Sequence, residues 1–409
     1  MVPSVVDAID IEADAQLDPA IQFLQATASH ALSPRAVCLT GATGFLGAYV
    51  LDELLRTTGA AIYCVVRPND CGATIQRIVG QLHSYDLWKD EFASRIHPVE
   101  GDLAQPCFGL SKARFVELAA TTDVIYHCAG WLNMAFPYPR LKPSNVIATQ
   151  EVLRLAGLVQ TKPVHFLSSM VVFFSEAHTG DDLLREDDAP RYHPTLKGGY
   201  SKSKWVADRL VAGARERGLP ACIYRPVRIM GHSLTGAIND LSDVLPLLIK
   251  GCILLGKYPG FDIKVTMVPV DFISRAMVHF AGQESSWGHA YHFFHPAPIE
   301  WRKLMSIMQS LGYPLQEVGY DQWWRELKQR IQETDDSEGE KSFLATLMLA
   351  LTAPHFLFFK RPPLDATNTR QGLEGTGIEY PPIDDALISR YVSYWQKTGY
   401  LPKLTDQCS

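Results

Sequence analysis

A chain of 409 residues with 47% hydrophobic content is long enough to bury two cores, or one large core with an appendage. A formal charge of -6 at pH 7, without a basic stripe interleaved with aromatics, excludes nucleic acid as the expected partner. Eight cysteines at 38, 64, 71, 107, 128, 222, 252 and 408 show no Cys-x-x-Cys and no metal-ligand spacing, so most read as small buried hydrophobes of a reduced cytoplasmic protein.

Residues 1–34 hold five acids and no Lys or Arg, which argues against a signal or transit peptide and leaves the cytoplasm as the default location. An apolar patch at Leu17, Ile21, Phe23 and Leu24 predicts a short packed helix within an arm or linker. Ala36 to Thr40 then reads as an apolar strand, followed at once by Gly41-Ala-Thr43-Gly44-Phe45-Leu46-Gly47 and an apolar-periodic helix from Ala48 to Leu55. Glycines at this spacing let backbone turn tightly and approach a pyrophosphate, while the helix N-terminus offers its N–H groups to the anion.

The next strand, Ala61 to Val66, ends in Arg67, twenty residues after Gly47. An acid there would bind a ribose 2′-hydroxyl; an arginine suits a 2′-phosphate, so NADPH is the expected cofactor, with Arg77 as a second phosphate contact. Asp70 keeps NADH open. A third strand from His97 places Asp102 and Leu103 at its C-terminal edge beside an adenine, and a fourth, from Asp123, ends in Ala129-Gly130, small enough to pass a nicotinamide ribose. A fifth, Pro163 to Leu167, delivers Ser168-Ser169 to the same edge, and another follows at Ala221 to Arg225. This alternation predicts an α/β fold, a Rossmann-type doubly wound parallel sheet whose ligands bind at the C-terminal strand ends.

Between the last two strands stands Gly199-Tyr200-Ser-Lys-Ser-Lys204-Trp205. On a helix starting near Gly199, Tyr200 and Lys204 are i and i+4 and share a face. An ammonium beside a phenol lowers the phenol's pKa from about 10, which suits it to give a proton to a developing alkoxide.

Beyond Gly236 the pattern loses its βαβ rhythm, which predicts a smaller, mostly helical substrate region. The expected division is an arm at 1–34, a nucleotide domain at 35–235 rejoined by 264–282, and a substrate region at 236–263 and 283–409. Ser342 to Phe359 is an 18-residue run without Asp, Glu, Lys or Arg, interrupted by Pro354 and His355. It reads as a buried or substrate-facing helix rather than a membrane span. Gln332 to Lys341 reads as a polar loop, His127 and His165 as packed histidines, and Trp323-Trp324 as a helix anchor.

With Thr40-Gly-x-x-Gly-x-x-Gly47, Ser169 and Tyr200-x-x-x-Lys204 in this order, the chain resembles the extended short-chain dehydrogenase/reductases. Within them it looks most like the thioester reductase domains that end nonribosomal peptide and polyketide assembly lines. That likeness rests on Gly199 to Ala207, Tyr224-Arg-Pro, Leu234-Thr-Gly236, Val268-Pro-Val-Asp271, Asn368-Thr, Gly377-Ile and Pro381-Pro-Ile. The resemblance implies Ser169, Tyr200 and Lys204 as catalytic residues and adds Asn145 to the cofactor contacts Gly41, Thr43, Gly44, Phe45, Leu46, Arg67, Arg77, Asp102, Leu103, Ala129, Tyr200 and Lys204. It also implies a phosphopantetheinylated acyl or peptidyl carrier protein as partner and an acyl thioester as substrate, reduced by NADPH to an aldehyde, with further reduction to the alcohol left open. Departures are Ser168-Ser169 for the usual Ser-Thr, Ala148-Thr149 for Gly-Thr, and Val227 for Gly. A fatty acyl-CoA reductase, which the apolar run at Phe343 to Leu351 would suit, a sugar-nucleotide enzyme and a cofactor-sensing binding protein are the competing readings.

Overall fold

The computed structural model describes residues 10–23, 30–68, 73–178, 183–238, 243–334, 339–352 and 362–402. The chain divides into two compact units: one takes Met1–Arg225, Met277–His292 and Arg361–Gly372, the other Pro226–Ala276, Phe293–Lys360 and Leu373–Ser409.

In the first unit a one-turn helix α1 (Ile11–Asp14) precedes β1 (Ala36–Thr40), α2 (Phe45–Thr57), β2 (Ala61–Val66), α3 (Thr74–Ser84), β3 (Ile96–Glu100) and α4 (Lys112–Thr121). There follow β4 (Val124–His127), α5 (Tyr138–Lys142), α6 (Ala148–Gly157), β5 (Val164–Leu167), α7 (Gly199–Glu216) and β6 (Ala221–Pro226). The sheet order is β3-β2-β1-β4-β5-β6, with the strand Ala290–Phe293 beyond β6. β1 to β6 pair in parallel. All five residues of β1 are buried, as expected of a strand covered by helices on both faces. The strand order reverses between β1 and β4, which opens a crevice at their C-terminal ends where such sheets bind ligands.

The boundaries differ from the sequence expectation in three places. The helix Val270–Ala281 crosses the division, so the return to the nucleotide unit begins at Met277 rather than at 264. Its C-terminal half is held there by rings, Phe280 stacking on Tyr291 with centroids 4.0 Å apart. Strand Ala290–Phe293 belongs to the main sheet rather than the substrate region, and residues 361–372 join the same unit. Buried Glu186 draws these two segments in: it accepts the His292 N–H at 2.8 Å and the Thr369 hydroxyl at 2.6 Å. Four donors converge on that carboxylate, yet burial still raises its pKa to about 7.

The arm is packed over residues 10–23, as expected. Its helix lies at Ile11–Asp14, upstream of the expected patch, but Leu17 and Ile21 are buried as part of it. Leu24 lies outside the described residues. Arg217, just past α7, donates to the carbonyls of Leu17, Asp18 and Ile21 and closes the arm onto the unit.

The second unit is mainly helical, with Val244–Leu255, Trp301–Ser310, Tyr320–Glu333, Glu340–Thr352 and Asp385–Lys397 around buried Trp301, Trp323, Tyr391 and Trp395. Trp323 anchors its helix, as expected, by donating to the carbonyl of Lys257 at 3.0 Å. Of the uncharged run, Leu344 and Leu347 are buried, and Leu347 presses where a Cβ on Gly251 would stand. That part is core; Pro354, His355 and Phe359 lie outside the described residues. Among the described residues, no helix is long and apolar enough to cross a membrane.

Candidate active site

The glycine turn occupies the sheet's switch point. Gly41 has φ +84°, and a Cβ there would stand 2.7 Å from the Ala129 nitrogen, so only glycine lets the end of β1 lie against the end of β4. A Cβ on Gly47 would overlap the Gly41 carbonyl oxygen. Gly44 is the N-cap of α2, whose first turn carries no acid and no side-chain cap, leaving its N–H groups for an anion. Thr43, Gly44 and Phe45 are half-buried around that opening, and Leu46 is buried beneath it. This cradle, closed to any side chain and lined by backbone donors, fits a dinucleotide pyrophosphate. Gly47→Ala is expected to cost about 1–3 kcal/mol of stability through overpacking. It should also weaken cofactor binding on the order of tenfold, about one phosphate hydrogen bond, in titrations of cofactor fluorescence.

α7 carries Tyr200 and Lys204 one turn apart. Its first residue is glycine because the chain entering α5 runs against it there: a Cβ on Gly199 would overlap the Phe136 carbonyl oxygen and stand 2.5 Å from the Tyr138 nitrogen. Tyr200 is half-buried. The Lys204 ammonium is buried, donates to the Leu167 carbonyl at 2.6 Å and lies 4.8 Å from the Phe166 ring centre. It is thereby tied to the C-terminal edge of β5, two residues before Ser169. Burial lowers its pKa from 10.5 to about 8, partly offset by the Asp208 carboxylate.

The two serines after β5 have different surroundings. Ser168 is buried and its hydroxyl donates to Asp208 Oδ2 at 2.5 Å. Ser169 is half-buried at the head of a 3₁₀ turn, Met170–Phe173, where its Oγ accepts a long 3.4 Å bond from the Val171 N–H. Asp208, four residues beyond Lys204, forms a bidentate pair with buried Arg225, both bonds 2.9 Å. Burial opposes the carboxylate's charge, but Arg225 holds its pKa below the ordinary value. Arg225 is further fixed by donating to the Glu186 carbonyl at 2.7 Å. Sequence reading assigned no role to Asp208 and showed Arg225 only as a strand end and as part of the Tyr224-Arg-Pro likeness; the available signal was an acid spaced one turn beyond Lys204.

Asn145 sits in a π-helical turn, Pro143–Ile147, between α5 and α6. Pro143 cannot donate to the carbonyl four residues back, and the backbone widens there, as often seen at functional positions. The Asn145 amide donates to the Ser203 hydroxyl at 2.9 Å and to the Trp131 carbonyl at 3.1 Å, while its oxygen accepts the Trp131 N–H at 2.6 Å. Behind it, His127 bridges Thr40 at 2.7 Å and Thr149 at 3.1 Å, and the Thr149 hydroxyl donates to the Asn145 carbonyl. That committed donor makes Thr149 Oγ1 the acceptor of the His127 Nε2–H, so Nδ1 accepts from Thr40. Burial lowers the His127 pKa to about 3, and the ring is a neutral strut. His165 is likewise packed, 2.9 Å from the Tyr224 hydroxyl.

Ala129 donates its N–H to Thr40 Oγ1 at 3.3 Å and lines the crevice beside Gly41. Arg67 and Arg77 are brought together, Arg77 Nη1 donating to the Arg67 carbonyl at 2.5 Å. Asp102 caps its own turn through the Ala104 N–H at 3.1 Å, with Leu103 half-buried beside it. Asp70 lies outside the described residues. Arg228 is paired with Asp243 at 2.5 Å and is not an open cation.

The NAD-binding family model described as male sterility protein matches residues 39–277. The chain is 38% identical over 396 residues to a linear gramicidin synthase polypeptide of Brevibacillus parabrevis, covering 97% of this chain and 8% of that protein. It is 33% identical over 395 residues to the L-2-aminoadipate reductase large subunit of Eremothecium gossypii, covering 90% of this chain and 28% of that one. It therefore spans a minor part of these curated relatives. Among solved structures, the terminal R domain from the myxalamid PKS-NRPS biosynthetic pathway aligns with a TM-score of 0.89 and 38% identity, over 97% of this chain and 99% of that one. A thiolation-reductase di-domain from an archaeal nonribosomal peptide synthetase shares the fold, with a TM-score of 0.72 at 22% identity over 89% and 76% of the two chains. With the glycine cradle and the Tyr200–Lys204 helix inside the matched segment, and likeness to an R domain along almost its whole length, the chain belongs to the male sterility protein family and is a reductase domain of the type that terminates nonribosomal peptide and polyketide synthetases.

Proposed function

We propose that this reductase releases an acyl or peptidyl thioester from a phosphopantetheinylated carrier protein as an aldehyde, with NADPH as the reductant. The observation that carries the reading is the placement of Lys204: its ammonium is buried at the edge of β5 on the Leu167 carbonyl, two residues before Ser169, on the helix that presents Tyr200 one turn earlier. The glycine turn and the first turn of α2 would hold the pyrophosphate, Arg67 with Arg77 the 2′-phosphate, Asp102 and Leu103 the adenine side, and Ala129 with Lys204 the nicotinamide ribose. When bound, the nicotinamide supplies hydride to the thioester carbonyl.

The chain's own groups handle the charge this creates. Tyr200 and Ser169 donate hydrogen bonds to the oxyanion; Ser169 is the donor because the Ser168 hydroxyl is already spent on Asp208. Lys204 favours proton release from Tyr200 by its positive charge. Asn145, braced by Ser203 and Trp131, supports the start of α7. Collapse of the resulting hemithioacetal expels the carrier thiol and leaves the aldehyde.

The test compares NADPH oxidation on an acylated carrier protein with that on the matching acyl-CoA, identifying the product by mass spectrometry. Turnover on the carrier thioester supports the reading; turnover on the CoA ester alone moves it to a fatty acyl-CoA reductase. Coenzyme choice is checked separately. Arg67→Ala should raise the KM for NADPH about ten- to a hundredfold, the worth of a charge-assisted hydrogen bond, and leave the KM for NADH unchanged. An equal loss for both coenzymes would remove Arg67 from the 2′-phosphate site.

A further inference from the structure

We infer that Asp14, in the N-terminal arm, is a positioning residue for Tyr200 that acts through α5, an assignment that rests on the catalytic reading above. The Asp14 carboxylate accepts two hydrogen bonds from α5, the Tyr138 hydroxyl at Oδ2 (2.6 Å) and the Lys142 ammonium at Oδ1 (2.7 Å). These donors are four residues apart, so one carboxylate grips one face of α5 along its length.

The gripping acid is itself fixed. Asp10 caps α1 through the N–H groups of Glu12 and Ala13. Ile11, Leu17 and Ile21 are buried, and Asp18 pairs with Arg154 of α6 at 2.8 Å. Arg217, beyond the far end of α7, closes on three carbonyls of the arm. The arm is thus anchored on α6 and on the C-terminal end of α7, and it holds α5 from there.

α5 needs such an anchor. It is the first turn of a helical run that continues through the π turn Pro143–Ile147 into α6, and Pro143 leaves the ladder at that turn widened and one donor short. Its position reaches Tyr200 by two routes. At its start, Phe136 and Tyr138 backbone atoms lie against Gly199, the residue before Tyr200. At its end, α5 runs into the π turn of Asn145, whose amide donates to Ser203, and the Ser203 hydroxyl donates to the Tyr200 carbonyl at 2.8 Å. Releasing α5 frees both constraints on the first turn of α7, and a small misplacement of an acid in a preorganised site costs rate rather than binding.

The test is a double-mutant cycle in the full chain, with octanoyl-loaded carrier protein as the thioester and single-turnover NADPH oxidation as the readout. Asp14→Ala is expected to lower the reduction rate about tenfold with the dissociation constant for NADPH unchanged, and Tyr138→Phe, which removes one of the two bonds, by about threefold. In the Tyr200→Phe background neither change should lower the residual rate further. Effects that persist undiminished in that background, or that appear as weaker NADPH binding, overturn the assignment and make the arm a general stabiliser. Should Asp14→Ala not fold, Tyr138→Phe decides by the same criterion. A Tyr200→Phe protein as fast as wild type would instead sink the catalytic reading itself, an outcome separable from the first two.

Discussion

Tyr200→Phe is expected to lower the rate of reduction by at least about a hundredfold while leaving the NADPH dissociation constant unchanged. The phenol is the proton donor in the proposed reaction, and general acid catalysis typically contributes on the order of 10²–10⁴-fold. The substitution deletes one oxygen from a half-buried ring on a helix whose other contacts stay in place, so folding should hold. The Lys204 ammonium remains bound to the Leu167 carbonyl and so keeps the place the proposed reaction gives it. Single-turnover NADPH oxidation, with cofactor binding measured in parallel by fluorescence, separates the two quantities. Ser169→Ala should follow the same pattern with a loss on the order of 10²-fold, because it removes one of two oxyanion donors. Retention of wild-type rate by the tyrosine variant would falsify the assignment of the acid.

Asp208→Asn is expected to shift the pH dependence as well as the stability. Two cations lean on this buried carboxylate: Arg225 by a bidentate pair, and Lys204 through space. Breaking a buried pair from one side strands the other charge and costs about 3–5 kcal/mol, visible as a fall in melting temperature. For Lys204 the sign follows from its neighbours. Its pKa stands near 8 because burial lowers it and Asp208 raises it. Without the anion it falls further, and the ammonium is lost at lower pH. The proposed reaction needs that charge, so the wild-type rate should decline as pH rises through about 8, and the variant's decline should begin at lower pH. A variant that is less stable but keeps the alkaline limb of its pH–rate profile would confine Asp208 to holding Ser168 and Arg225.

Much of the nucleotide unit was legible because its signals are local. A compact apolar run gives β1, and a glycine turn that no side chain can occupy gives the bend into α2, both fixed by sterics within a dozen residues. The strands at 61, 96, 124, 164 and 221 lie within about a residue or two of where their apolar runs place them. Tyr200 and Lys204 share a face because helical spacing dictates it. Joined to the glycine turn and Ser169, they narrow the chain to a family from the residues alone.

What the linear order of residues could not carry were partnerships between positions far apart in it. Strand Ala290–Phe293 is short and follows a stretch of helix, and partners distant in the chain, the edge of β6, the carboxylates of Glu186 and Asp187 and the ring of Phe280, hold it in the sheet. Ser168 and Ser169 are equivalent as letters; a buried acid forty residues later occupies the hydroxyl of Ser168 and not that of Ser169. Asp14 reads as one acid of a charged arm until α5 folds beneath it, 124 residues on. The sequence by itself therefore determined the nucleotide fold, the family and the shared helix face of Tyr200 and Lys204, because backbone sterics and helical periodicity act over a few residues. The tertiary structure decided which serine hydroxyl Asp208 takes, what surrounds the Lys204 ammonium and what packs against the start of α7, because burial and ion pairing depend on neighbours that only folding supplies.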